Sequence, residues 1–153
     1  MAELLAKDIM TKKVITVSKD ATVGQLTRLL LKNRISGTPV INEKNDLVGI
    51  VCEKDVIVKM SSLPFPMSFG FAFLDNYEIH TKSTREYLET KVEEIMSKKI
   101  KTVRKDMLLS KVVNIMINNN LNRVPVVDDN NRLSGIITRA DIMKSMIKET
   151  GEK

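Results

Sequence analysis

The chain has 153 residues, 42% of them hydrophobic and 29% charged, a balance typical of globular proteins that excludes a disordered chain. A single cysteine, Cys52, excludes an internal disulfide, and no apolar run approaches the ~20 residues of a membrane-spanning helix. The net charge of +6 suggests nucleic acid as one class of partner, but the lysines are spread among acidic residues and form no long basic run. The N-terminus lacks signal-peptide features, so we expect a cytoplasmic protein without membrane association.

The chain aligns with itself without a gap when it is shifted by 86 positions, so that Asp8 falls on Glu94. The matching stretches are Asp8–Asp20 with Glu94–Asp106, and Thr38–Ile57 with Val124–Met143. Such long gapless matches predict two copies of one structural unit. We therefore place repeat 1 at residues 1–60, a connector at residues 61–91 and repeat 2 at residues 92–153.

A segment of helical character precedes the strands of each repeat, and we call it the lead segment of that repeat; the second one starts within the connector. The lead segments are AELLAKDIM, residues 2–10, and TREYLETKVEEIM, residues 84–96. The β-branched runs VITV and IKTV then predict the first strands. Asp20 and Asp106 follow these runs, where the N-cap of a helix is expected.

The remaining elements of each repeat are a helix, a hairpin and a second helix. Apolar residues at i, i+3 and i+7 predict the first helix; they are Val23, Leu26 and Leu30 in repeat 1, and Leu109, Val112 and Met116 in repeat 2. The pairs TPVIN/LVGIVC and VPVVD/LSGIIT surround the turn clusters EKND and DNNR and predict hairpins.

This order of elements predicts an α+β fold with sandwich-like layers, in which each β-α-β-β-α repeat has a small three-stranded sheet. About fifty residues bury too little core to stand alone. We therefore expect the two repeats to pack as a pseudo-twofold pair with two equivalent clefts between them.

The connector holds every aromatic side chain of the protein: Phe65, Phe69, Phe71, Phe73, Tyr77 and Tyr87. We expect these rings to pack onto the neighbouring repeats or onto a second copy of the chain. The alternative is a lid over a cleft or an exposed patch for a target protein. His80 is the only histidine and has no cluster of other ligands near it in sequence, so no metal site is expected.

Four motifs occur in order, each in the first repeat or in its partner: DIM[TS], TV followed by D, [ST]G.PV and G[IV][IV]T..D. On these motifs, residues 6–60 and 92–148 resemble the cystathionine β-synthase (CBS) domain, and the chain is similar to stand-alone CBS pairs, or Bateman modules. The resemblance implies a non-catalytic energy or metabolite sensor that binds AMP, ADP, ATP or S-adenosylmethionine in the clefts between its repeats. It also implies a homodimer that acts on a separate target protein, with no catalytic cofactor.

The stretch GIITRAD in repeat 2 fits such a ligand chemically. The carboxylate of Asp141, and of Asp55 in repeat 1, can accept hydrogen bonds from both hydroxyls of a ribose. Thr138 and Arg139 offer a hydroxyl and a guanidinium to a phosphate at the start of a helix. The alternative is structural, because Thr-x-x-Asp before an apolar helix also resembles a capping box.

The leading residues of the first strand and the approach to the Pro-Val strand would supply the adenine slot. The site of repeat 2, expected to be the stronger one, then comprises Ser97, Ile100, Lys101, Asn122, Arg123, Val124, Thr138, Arg139 and Asp141. The site of repeat 1 comprises Thr11, Val14, Ile15, Ser36, Gly37, Thr38, Cys52, Lys54 and Asp55.

The two sites are not expected to be equal. Cys52 replaces the threonine of repeat 2, and a thiol is a weak hydrogen-bond donor. Glu53 adds negative charge where a phosphate would approach, and Lys54 compensates only in part. In repeat 2, Asn122 and Arg123 replace the smaller Ser36 and Gly37, and they either contact the ligand or narrow the slot.

Two other functions stay open at this stage. The first is a ligand-free scaffold for dimerisation or protein interaction, which the aromatic connector favours. The second is nucleic-acid binding, which rests on the positive charge and on an open face of the disc that such pairs form as dimers. Catalysis is not expected, because no nucleophile–base pair, metal cluster or Gly-rich phosphate loop is found in the sequence.

Overall fold

The structure is a computed structural model that describes residues 3–61 and 84–151. The chain forms two compact units that differ from the sequence repeats in their lead segments. Unit 1 comprises Met1–Ile15, Lys44–Leu47 and Ile100–Lys153, and unit 2 comprises Thr16–Glu43 and Val48–Lys99. The lead segment of each repeat therefore belongs to the unit built on the other repeat.

Repeat 1 supplies one three-stranded sheet, with strand order β1-β2-β3 and β1 parallel to β2. Its elements are β1 (Val17–Ser18), α2 (Val23–Asn33), β2 (Gly37–Ile41), β3 (Leu47–Cys52) and α3 (Glu53–Ser61). The lead segment of repeat 2 adds a helical stretch at residues 84–88 and a 3₁₀ turn at Val92–Glu94.

Repeat 2 supplies the second sheet, with β4 parallel to β5 and β5 antiparallel to β6. Its elements are β4 (Val103–Arg104), α4 (Leu109–Asn118), β5 (Arg123–Val127), β6 (Leu133–Thr138) and α5 (Arg139–Thr150). The lead segment of repeat 1 adds the single helical turn α1 (Ala6–Ile9). These sheets and helices confirm the α+β fold and the order of elements in each repeat.

The apolar pattern of the first helices is confirmed. Val23, Leu26 and Leu30 are buried on α2, and Val112 and Met116 are buried on α4. The first strands are only two residues long, shorter than the predicted runs VITV and IKTV. No described helix is long and apolar enough to cross a membrane.

The predicted N-caps Asp20 and Asp106 are wrong. The backbone N–H of Asp20 instead donates to Ser18 Oγ (3.2 Å) in a tight turn after β1, and α2 begins three residues later, at Val23. Thr22 caps α2 through a reciprocal pair of bonds with Gln25, at 2.9 and 3.1 Å. In repeat 2 the N-cap position is Leu108, which has no side-chain cap bond.

The lead segments dock onto the other repeat's elements by equivalent backbone hydrogen bonds. In unit 1, Ala6 N donates to Met107 O (2.8 Å), and Thr11 and Ile136 exchange two bonds of 2.9 and 3.0 Å. In unit 2, Val92 N donates to Ala21 O (2.8 Å), and Ser97 and Ile50 exchange two bonds of 2.9 and 3.0 Å.

The docking also explains the glycine of the motif G[IV][IV]T. A Cβ on Gly135 would lie 2.6 Å from Met10 Sδ, at the end of the docked lead segment, and 3.0 Å from the O atom of Thr11, the next residue. A Cβ on Gly49 would meet Met96 Sδ at 2.5 Å and Ser97 O at 3.1 Å. Glycine is therefore needed where the lead segment crosses the last strand of each sheet.

We predict that Gly135→Ala lowers the free energy of unfolding by about 1–3 kcal/mol, the usual range for an added methyl group in a packed interior. Denaturation in urea measures the change. Met10→Ala removes the sulfur that the new methyl group would meet, so the double variant should lose less stability than the sum of the single variants. Strict additivity of the two losses would contradict the proposed close approach.

Candidate functional site

The first turn of α5 is organised by Thr138 and Asp141. Asp141 Oδ2 accepts hydrogen bonds from Thr138 N (2.8 Å) and Thr138 Oγ1 (2.9 Å), and Asp141 N lies 3.3 Å from Thr138 Oγ1. The predicted capping box is therefore present, with Asp in the position usually held by Glu or Gln. Both bonds accepted by the carboxylate within the described chain use Oδ2, which leaves Oδ1 for another donor.

Other predicted residues of repeat 2 lie beside this turn. Arg123, at the start of β5, is paired with Thr138 across the sheet and is only 9% exposed. Asn122 O accepts from Arg139 N (3.1 Å), and Val124 is buried in the core of unit 1. Antiparallel pairing of β5 with β6 therefore brings the residues of two separate motifs together.

The Arg139 guanidinium holds the loop that follows α4. Its Nε donates to Leu121 O (3.1 Å), and its terminal nitrogen lies 3.4 Å from Asn120 Oδ1. Its backbone N–H and that of Asp141 are also engaged. The structure thus gives Arg139 a local structural role, and the predicted phosphate contact stays a prediction.

Asp141 lines a cavity of about 440 Å³ within unit 1, between α1 and α5. The lining residues are Leu4, Asp8, Ile9, Met10, Asp141, Lys144, Ser145, Lys148 and Glu149. Apart from Asp141, sequence reasoning identified none of the residues in this set. The i, i+3, i+4, i+7 spacing of positions 141, 144, 145 and 148 could have shown that they share one face of α5.

The predicted residues of repeat 1 form a similar arrangement in unit 2. Cys52 N donates to Asp55 Oδ2 (2.8 Å), and Glu53 N donates to Ser36 O (2.8 Å). Gly37 and Thr38 follow on β2, and Thr38 is fully buried.

Asp55 lines a cavity of about 320 Å³ in unit 2. The lining residues are Lys54, Asp55, Val58, Lys59, Glu94 and Ile95. Asp55, Glu94 and Ile95 correspond to Asp141, Asp8 and Ile9 of the larger cavity. The recurrence shows that the fold itself creates a cavity beside this aspartate.

Some of the predicted residues that precede or lead the first strands belong to a different unit from the rest of their site. Thr11, Val14 and Ile15, predicted for the repeat 1 site, belong to unit 1, and Ile100 and Lys101 belong to the same unit. Ser97, predicted for the repeat 2 site, belongs to unit 2 and pairs with Ile50. Each predicted site thus draws on residues of both units.

Tyr87 is the one aromatic connector residue within the described range. It is buried in unit 2 and donates its hydroxyl to Val56 O at 2.8 Å, which matches the expected packing of connector rings. Burial, and secondarily the negative charge of Asp55, raise the pKa of Tyr87 above its ordinary value. The other five rings and His80 lie outside the described residues.

Among residues 3–61 and 84–151, no three His, Cys, Asp or Glu side chains are grouped so that they could hold a metal ion.

We predict that Thr138→Ala lowers the free energy of unfolding by about 1 kcal/mol, because the N-cap hydroxyl of α5 is lost. Thr138→Ser keeps the hydroxyl and should retain most of that stability. Urea denaturation of both variants tests the prediction. An equal loss in the serine and alanine variants would show that the hydroxyl does not stabilise the helix.

The CBS domain family matches the chain twice, at residues 6–62 and 92–148. The chain is 36% identical to protein MJ1426 of Methanocaldococcus jannaschii, over 94% of the chain and 92% of that protein. It is also 34% identical to inosine-5′-monophosphate dehydrogenase of the same organism, over 91% of the chain but only 23% of the enzyme.

Solved structures of CBS pairs are similar to this chain along most of its length. The CBS domain pair of protein MJ0100, in complex with 5′-methylthioadenosine and S-adenosyl-L-methionine, superimposes with a TM-score of 0.72 at 28% identity, covering 97% of this chain and 99% of that pair. Protein MJ1225 of M. jannaschii, described as a putative archaeal homologue of γ-AMPK, gives a TM-score of 0.77 at 28% identity, covering 94% of this chain and 48% of that protein. The two matches at the two repeats, together with this shared fold, show that the chain belongs to the CBS domain family as a tandem pair.

Proposed function

We propose that the chain is a non-catalytic regulatory module that binds an adenosine-containing ligand: AMP, ADP, ATP or S-adenosylmethionine. The single observation that carries the proposal is the placement of Asp141. Its carboxylate is fixed by Thr138 through Oδ2, lines a cavity of about 440 Å³, and keeps Oδ1 for a further donor. A ribose presents two adjacent hydroxyl donors, which suit such a pre-positioned carboxylate.

The charges near this turn favour Arg123 as the group that binds phosphate. The N–H groups of Arg139 and Asp141 at the start of α5 already have partners, at Asn122 O and Thr138 Oγ1. These bonds weaken the case for a phosphate held by the helix N-terminus. Arg123 is a buried cation that lies opposite Thr138 in the β5–β6 register, and a guanidinium suits phosphate geometry.

The Asp55 site is proposed as the weaker of the two. Its cavity is smaller, at about 320 Å³. Gly37 stands at the position that Arg123 occupies in repeat 2, so the buried cation is missing from this sequence position. Glu53 adds a negative charge at the start of α3. These differences favour a neutral adenosine group over a phosphorylated one at Asp55.

Relatives support the choice of ligand class. The CBS pair of MJ0100 was solved with 5′-methylthioadenosine and S-adenosyl-L-methionine, and both molecules contain adenosine. That pair is 28% identical to this chain along nearly its whole length. We therefore place adenosine recognition ahead of other nucleosides in the proposal.

We predict that calorimetry detects at least one of AMP, ADP, ATP and S-adenosylmethionine, and that Asp141→Asn weakens the bound ligand about tenfold or more. Loss of a hydrogen bond to a charged group costs about 1.5–3 kcal/mol. Asparagine keeps an acceptor oxygen for Thr138 N, so thermal unfolding should change little. If thermal stability is unchanged, the loss of ligand affinity is due to the lost ligand contact and not to a weakened helix cap.

A change in the ligand supplies the matched control. The 2′,3′-dideoxy form of the bound nucleotide lacks the hydroxyls assigned to Asp141, so it should bind wild type and Asp141→Asn equally weakly. The proposed ribose contact is wrong if the variant weakens the dideoxy ligand as much as it weakens the natural one. The proposed function itself is lost if none of the four ligands binds at millimolar concentration.

A homodimer that acts on a separate target protein is the second part of the proposal. Exposed apolar residues occur at equivalent positions of both repeats, Leu31 with Ile117 and Ile57 with Met143. Met146 and Ile147 extend the exposed apolar surface on α5. Large exposed apolar patches commonly mark protein interfaces, and the same surface favours the alternative of a ligand-free interaction scaffold.

We predict that Met146→Lys shifts the chain towards monomer, because a charge would have to be buried at the interface. Analytical ultracentrifugation over a range of protein concentrations measures the shift. Lys148→Met, on the same helix, serves as a control for changed surface charge and should not weaken association. A wild-type chain that stays monomeric at all concentrations would remove the dimer from the proposal.

A further inference from the structure

Tyr87 connects the end of the connector to the first turn of α3. The side chain is 5% exposed, and its hydroxyl donates to the carbonyl of Val56 at 2.8 Å. Val56 directly follows Asp55, the predicted ribose-binding residue of unit 2. A buried tyrosine hydroxyl needs a partner, and here that partner lies one residue from the candidate site.

The backbone that carries Tyr87 is itself fixed to α2. Thr90 donates its hydroxyl to Tyr87 O (2.6 Å), and Thr90 O accepts from Val23 N at the start of α2 (2.8 Å). A Cβ on Gly24 would lie 3.2 Å from Leu88 O, so this stretch packs closely against the first turn of α2. Tyr87 thus joins the starts of two helices within unit 2.

Unit 1 has no tyrosine at the corresponding position, because the repeat shift places Met1 opposite Tyr87. The first turn of α5 is instead held by the Thr138 hydroxyl, which bonds to Asp141 Oδ2. Repeat 1 has Cys52 at the position of Thr138 and lacks that hydroxyl. The structure therefore supplies a hydroxyl to the first turn of α3 from a different element.

We propose that Tyr87 is the positioning residue of the Asp55 cavity, where its hydroxyl holds the first turn of α3 in place of the threonine that repeat 1 lacks. The bond also ties the end of the connector to this cavity in unit 2 and to no equivalent place in unit 1. A ligand at Asp55 would then be sensed at residues 84–90. This last step rests on the proposed function, whereas the positioning of α3 does not.

The first experiment needs no ligand and uses the full chain. Cys52 is the only cysteine and is the last residue of β3, directly before α3, so its alkylation by iodoacetamide under native conditions reports on this turn. Tyr87→Phe removes only the hydroxyl, and we expect alkylation to be about 3–10-fold faster, the equivalent of one neutral hydrogen bond. Tyr77→Phe removes the other tyrosine hydroxyl and should leave the rate unchanged.

A matched variant in unit 1 distinguishes a local effect on the first turn of α3 from a general loss of stability. Ile115 packs against the core of unit 1, and Ile115→Val should lower stability by about 0.5–1.5 kcal/mol. That variant should not accelerate the alkylation of Cys52. Equal rates in wild type and Tyr87→Phe, or equal acceleration by Ile115→Val, would overturn the positioning role.

The second experiment measures the proximity of Tyr87 and Asp55 directly. In a Tyr77→Phe background Tyr87 is the only tyrosine, and its ultraviolet absorbance reports its own pKa. Asp55→Asn should lower that pKa in part, because burial, the larger cause, remains. Asp141→Asn is the control, and a shift of equal size there, or none with Asp55→Asn, would contradict the assignment.

Addition of AMP then tests whether a ligand at Asp55 is coupled to the Tyr87 hydrogen bond. We expect AMP to slow Cys52 alkylation in wild type and to protect less in Tyr87→Phe. Equal protection in both proteins would refute the coupling. A lack of any AMP binding by calorimetry would refute the proposed function for AMP, while the ligand-free difference in alkylation would still decide the positioning role.

Discussion

Docking of each lead segment onto the other repeat is the interaction on which the rest of the structure depends. Ala6, from the lead segment of repeat 1, is fully buried in the core built by repeat 2, and Val92, from the lead segment of repeat 2, is fully buried in the core built by repeat 1. Equivalent backbone hydrogen bonds fix both segments. A single repeat would therefore lack part of its own core and leave the last strand of its sheet without the lead segment that crosses it. This mutual dependence gives a physical reason why the unit occurs in two copies on one chain.

The same docking builds the cavities beside the two aspartates. Asp8 and Ile9 of α1 face Asp141 across the cavity of unit 1, and Glu94 and Ile95 line the cavity of Asp55 in unit 2. A change that displaces a lead segment would open the cavity as well as the core. Stability and ligand binding are thus expected to be linked, because a ligand that binds only the docked form stabilises it by mass action.

Local sequence patterns predicted the helices and hairpins well. They could not predict which distant segments pair with one another. The amphipathic spacing of Leu26 and Leu30, and the hairpins around EKND and DNNR, depend on neighbours in sequence and are confirmed. Asp20 fails as a cap because Ser18 holds it in a tight turn, while Thr22, only two positions on, forms the capping box with Gln25. The cavity residues of α1 were missed because no pattern within a lead segment shows which repeat it docks onto. The repeat itself contained one clue: Gly49 and Gly135 align, and a glycine inside a strand often marks a close approach of other backbone.

The capping box and the ligand site need not exclude each other at Asp141. A carboxylate has two oxygens, and the cap uses Oδ2 in both of its bonds. The cap then orients Oδ1 without further loss of side-chain entropy, so that a ribose would meet an acceptor already in place. In unit 2 Asp55 accepts a hydrogen bond from the backbone N–H of Cys52, and no hydroxyl stands at the sequence position of Thr138. The first turn of α3 is instead contacted by the Tyr87 hydroxyl, which donates to Val56 O. Both aspartates accept the backbone N–H of the residue three positions earlier, but the turn around Asp141 is also held by the Thr138 hydroxyl, and the turn around Asp55 by Tyr87 from the connector. A ligand would consequently act on different parts of the chain in the two units, which gives a tandem pair a way to respond unequally to one molecule.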